Sequence, residues 1–84
     1  MKKNKITEYL IKLLKKKRPI EKKFLKDLNS FNFIDNGHLD SLELISFNFS
    51  IEKKFKIKFN FKELSSKKYK TISGLSDIIF KKIN

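Results

Sequence analysis

One serine and the residues around it carry the chemistry that this sequence offers. Ser41 stands in Asp35-Asn36-Gly37-His38-Leu39-Asp40-Ser41-Leu42-Glu43-Leu44-Ile45. Asp-Asn-Gly is turn chemistry, and Asp40 or Ser41 is a natural cap for a helix that follows. A hydroxyl at a helix start lies beside free N–H groups and the positive end of the helix dipole, both of which favour an attached phosphate. The serine has no evident activating partner. The only histidine is His38, and no nucleophilic triad can be assembled around it. A single histidine without a paired acid reads as a surface or turn residue before it reads as a ligand or base. There is no cysteine. No catalytic residue and no metal site are therefore expected. Ser41 is expected to be modified by another enzyme, and the plainer alternative is that it only caps the helix.

Charge is partitioned around this serine. The 84-residue chain has a net charge of +12, with 21 Lys or Arg against nine acids. Residues 1–26 carry a net +9 and residues 53–84 a net +8. Residues 27–52 have no Lys or Arg and hold Asp27, Asp35, Asp40, Glu43 and Glu52. Burial of this segment would explain the missing lysines in part but not five acids. The expectation is an acidic patch kept for a basic partner.

The elements that must position Ser41 follow from periodicity. Residues 4–17 form an amphipathic helix with Ile6, Leu10, Leu13 and Leu14 on one face, ended by Pro19. Residues 20–40 are a long connection in which Ile20, Phe24, Leu25 and Leu28 have the spacing of a short helix. Phe31, Phe33 and Ile34 should pin it to the core. Residues 41–56 form the second main helix, with two apolar faces. Leu44, Phe47, Ile51 and Phe55 make a core stripe, while Leu42, Ile45 and Phe49 lie on another side. Asn60 with Glu63 resembles a capping box for a short helix. Tyr69 should anchor the following loop, and Thr71 or Ser73 should cap a last helix bearing Ile72, Leu75, Ile78, Ile79 and Ile83. The expected fold is all-α: one domain over residues 1–84, with three main helices, one short helix and no convincing strand. Its expected core is Leu10, Leu13, Leu44, Phe47, Ile51, Phe55, Ile72, Leu75 and Ile79.

The segment from Gly37 through Asp40-Ser41-Leu42 resembles the acyl carrier protein family, whose core is a turn glycine followed by Asp-Ser-Leu opening a helix. Ile51-Glu52-Lys53-Lys54-Phe55-Lys56-Ile57 is similar to that family's helix end, and Tyr69-Lys70-Thr71-Ile72 to its final segment. The resemblance covers roughly residues 30–84, and the first helix fits by pattern only. It implies a small acyl-carrier-like bundle with a 4′-phosphopantetheine arm bound covalently to Ser41. The arm would carry an acyl or aminoacyl thioester. The partners implied are a phosphopantetheinyl transferase and the enzymes that load and accept the acyl group. Peptidyl carriers often place His directly before the serine. Asp40 occupies that place here, which favours the acyl or D-alanyl carrier branch. The chain departs from the family in being strongly basic, and its second helix has only Glu43 and Glu52 before Lys53.

Asp40, Leu42, Glu43, Ile45 and Phe49 are the residues expected to dock partners, as an apolar strip beside acids. The apolar stretch near the N-terminus is broken by Glu8 and Lys12, and no segment approaches a bilayer span, so a soluble cytoplasmic protein is expected. It is also expected to be a monomer. A pI near 10 and the lysine run at 15–17 raise two competing readings. One is a nucleic-acid-binding module; scarce arginine and scattered lysines speak against it. The other is docking on an anionic membrane. Neither explains the lysine-free centre.

Overall fold

The computed structural model describes residues 2–83 and is all-α. Helix α1 spans Lys3–Lys17, α2 Ser41–Phe55, α3 Phe61–Leu64 and α4 Ile72–Ile83. Two 3-10 segments, Lys22–Ser30 and Lys67–Lys70, complete the order. Among the described residues there is no strand, only an isolated bridge between Asn32 and Thr71. No described helix is long and apolar enough to cross a membrane.

Helix α1 ends where Arg18 turns extended ahead of Pro19, which disfavours the helical conformation in the residue before it. The 20–40 connection does contain a helical element, with a break at Asp27. No residue of that element is buried. Phe31 and Phe33, just after it, hold the connection to the core as expected. At α4, the choice between Thr71 and Ser73 falls to Thr71, whose Oγ1 accepts from the Gly74 N–H at 3.0 Å. Asn60 and Glu63 form the expected capping box.

The core joins Ile6, Leu10 and Leu14 of α1 to Phe47, Ile51 and Phe55 of α2 and to Ile72, Leu75 and Ile79 of α4. Two expected core residues are corrected. Leu13 and Leu44 are only partly buried against it. The row that faces inward on α1 is 6, 10 and 14, at a strict four-residue step. Leu13 lies about 100° round the helix from Leu14. There it lines a shallow groove with Ser46 and Phe47. Leu44 belongs to the first turn of α2, the end at which Ser41 and Leu42 face solvent. Tyr69 is buried as an anchor, bonded to the Asn48 side chain and edge-on to Phe33 and Phe59. Burial, and then the nearby Glu52 charge, raise its pKa above the ordinary tyrosine value.

Gly74 has a role that the sequence did not reveal. A Cβ built there would lie 2.1 Å from the backbone oxygen of Lys68. Only a residue without a side chain lets α4 approach the 67–70 segment this closely. Gly74→Ala is expected to force the two apart and to cost about 1–3 kcal/mol. A thermal melt coincident with the parent's would contradict that contact.

An ion pair ties α3 to α4. Glu63 accepts from Lys82 Nζ at 3.0 and 3.1 Å while also closing the α3 capping box. The backbone N–H of Asn60 lowers the Glu63 pKa most; burial opposes it, and the Lys82 ammonium lowers it further. A carboxylate with a depressed folded pKa contributes stability above its unfolded pKa and loses it as pH falls through the folded one. Stability is therefore expected to fall below the ordinary value of 4.5. Glu63→Gln, which can keep the cap but not the charge, should flatten this acid limb in melts taken across that range. An unchanged limb would show that Glu63 is not among its causes.

Candidate functional site: the turn and helix start that present Ser41

A short network shapes the chain ahead of Ser41. Asn32 Oδ1 accepts from the N–H groups of Ile34 and Asp35 at 3.1 and 2.7 Å. The Asn36 N–H reaches back to the Asn32 carbonyl and that of Gly37 to the Ile34 carbonyl. Gly37 takes φ +64°, a left-handed conformation that glycine adopts without steric cost. His38 and Leu39 then turn inward and are buried.

His38 is in the turn, but it is not at the surface. It is 6% exposed, lies edge-on to Phe31, and its Nε2 is 2.8 Å from the Leu14 carbonyl oxygen. A carbonyl can only accept, so Nε2 carries the proton. The same carbonyl accepts from the Arg18 N–H at 3.4 Å. His38 therefore helps satisfy the C-terminal end of α1. The ring has a structural partner, and among the described residues no cluster of His, Cys, Asp or Glu could hold a metal.

Asp40 is the N-cap of α2. Its Oδ1 accepts from the Glu43 N–H at 2.8 Å, and Glu43 Oε1 accepts from the Asp40 N–H at 3.0 Å. This reciprocal box satisfies the helix start without the serine. Ser41 is the first residue inside the helix and is exposed. Its hydroxyl has no hydrogen bond among the described residues. The N–H groups of Ser41 and Leu42 also lack an acceptor. The hydroxyl and two free amides thus share one solvent-facing helix end.

A second clamp fixes this end. Arg18, the chain's single arginine, donates to both carboxylate oxygens of Glu43 at 2.9 and 2.7 Å. Two links therefore join the end of α1 to the Ser41 segment: Arg18 to Glu43, and His38 to Leu14. Neither was anticipated from the sequence. The available signal was that one arginine stood at a helix end among lysines.

The expected docking residues separate into two groups. Leu42, Ile45 and Phe49 are 79%, 66% and 65% exposed and share the side of α2 away from the core. Asp40 and Glu43 lie beside them, but their carboxylates cap α2 and bind Arg18. The other acids of the lysine-free segment are also engaged in part. Asp35 pairs with Lys70 at 3.3 Å, and Glu52 Oε2 accepts from the Phe59 N–H at 2.9 Å. Much of the acidity expected to form a free patch is thus used to build caps and turns.

The arrangement is a small all-α bundle that presents an exposed, unbonded serine at the first position of its second main helix. No family model, no curated protein and no solved structure matches the chain.

Proposed function

We propose that this chain is a carrier protein of the acyl carrier type, which bears a 4′-phosphopantetheine arm on Ser41 and presents an acyl or aminoacyl thioester to partner enzymes. The observation that carries this reading is the division of labour at the start of α2: Asp40 and Glu43 make the cap, and the Ser41 hydroxyl is left exposed. The residues fit the group. A phosphodiester on that hydroxyl has the free N–H groups of Ser41 and Leu42 and the positive helix end beside it. When bound, the arm supplies a terminal thiol on which cargo is held as a thioester.

The protein's own residues do the positioning. Gly37, Asn32 and the His38 and Arg18 links hold the helix start in place. Leu42, Ile45 and Phe49 offer an apolar strip to the transferase and to the enzymes that load and unload the arm. Such a strip suits partners with an apolar groove. The carrier itself performs no catalysis, and it works in the cytoplasm, where coenzyme A supplies the arm.

Incubation with coenzyme A and a broad-specificity phosphopantetheinyl transferase is expected to raise the intact mass by about 340 Da, once per chain. Peptide mapping should place the gain on Ser41. No gain, or a gain on another residue, would overturn the proposal.

A further inference from the structure

At the far end of α2 from Ser41 lies a second exposed apolar cluster with a different electrostatic setting. The helix has 15 residues, which puts its two ends about 20 Å apart. At Lys56 the backbone takes the left-handed conformation, with φ 56° and ψ 47°, and the chain reverses. The Phe59 N–H bonds to the Glu52 carboxylate, which folds residues 57–60 back against α2. Helix α3 starts there. Phe61, 84% exposed, is the most exposed large hydrophobic residue among those described. Leu64 is three residues on, so it shares a face of that single turn, and it is also exposed. Neither side chain belongs to the core among the described residues.

Exposed lysines surround this cluster. Lys53, Lys56, Lys58 and Lys62 all face solvent, and none has a carboxylate partner among the described residues. Lys53 and Lys58 line one shallow depression with Phe49 and Ile57. The two acids nearby are already engaged. Glu52 holds the Phe59 N–H, and Glu63 closes the α3 cap and pairs with Lys82. The patch is therefore apolar at its tip and positive at its margin.

We infer that this end of the molecule, centred on Phe61 and Leu64 and edged by Lys53, Lys56, Lys58 and Lys62, docks on an anionic lipid surface. Lysine ammonium groups are rotatable point charges on long apolar stems. They suit a diffuse field of headgroup phosphates better than the fixed bidentate geometry of base recognition. Phenylalanine and leucine have no polar group to satisfy, so they can enter the acyl boundary without an unpaired donor. The patch stands apart from Ser41, so the inference is independent of the carrier reading: the unmodified chain should bind as well as a modified one.

Co-sedimentation of the full chain with vesicles tests it, using phosphatidylcholine alone and phosphatidylcholine mixed with phosphatidylglycerol at physiological ionic strength. The parent should partition onto the mixed vesicles and not onto the neutral ones. Phe61→Ser should lower that partition by about ten-fold or more, with an unchanged melting temperature, because the side chain is exposed. Lys58→Gln with Lys62→Gln should lower it by about twenty-fold. Lys15→Gln with Lys16→Gln, which removes equal charge from α1, should change it by no more than about two-fold. Absence of binding, indifference to Phe61→Ser, or an equal loss from the α1 pair would overturn the inference. So would Phe61-dependent retention on a single-stranded oligonucleotide in place of the vesicles, which would assign the patch to nucleic acid.

Discussion

Ser41→Ala is expected to lose the whole mass gain from coenzyme A and transferase, while its melting temperature stays within about 2 °C of the parent's. Both halves follow from the helix start. The hydroxyl makes no hydrogen bond among the described residues, and alanine is a good helix former at the first position inside α2. The companion variant is Asp40→Ala. It removes the side chain that accepts from the Glu43 N–H and should cost about 1 kcal/mol, a drop of roughly 4–8 °C for a domain of this size. It leaves the serine in place, so modification should persist. If Ser41 were instead the cap, the pattern would invert: Ser41→Ala would lower the melting temperature and Asp40→Ala would not. A Ser41→Ala protein that still gains the arm's mass would defeat the assignment of the attachment site, whatever its stability.

The elements that were legible in advance are those written in local patterns. The step from Ile6 to Leu10 to Leu14, the Asn60–Glu63 capping box and the turn glycine at position 37 each need only a few neighbouring residues to be recognised. Helix starts were legible to within one choice. Asp40 against Ser41, and Thr71 against Ser73, could not be decided from sequence because each pair contains two competent caps, and only geometry shows which oxygen reaches the N–H. What stayed hidden depends on contacts between segments distant in the chain. Arg18 meets Glu43 across 25 positions and His38 meets Leu14 across 24. Gly74 is required by a backbone approach of Lys68 that no local pattern encodes. The acidic segment shows the same limit. Its composition was plain, but that Glu43 and Glu52 serve a cap, an arginine and a backbone N–H followed only from the fold.

Helix α2 gives the other large effect, because its two apolar faces should respond in opposite ways to the same chemistry. Phe47 is 2% exposed, with its ring 5.3 Å from that of Phe33 and its neighbour Ile51 fully buried. Phe47→Ala removes a buried ring from a small core and should cost about 3–5 kcal/mol. A domain of this length has a total stability on the order of 4–13 kcal/mol, so the variant should lose a large share of it and melt far below the parent. Phe49, two residues further on, is 65% exposed. Phe49→Ala should move stability by no more than about 0.5 kcal/mol. If the strip formed by Leu42, Ile45 and Phe49 is the surface that enzymes grip, Phe49→Ala should instead slow modification of Ser41 in the transferase assay. The slowing should be largely indifferent to salt, because the lost contact is apolar. Circular dichroism melts and transferase rates on the same two proteins separate these outcomes. A Phe49→Ala protein that melts far below the parent would place that ring in the core, and one that melts and is modified like the parent would remove it from the docking strip.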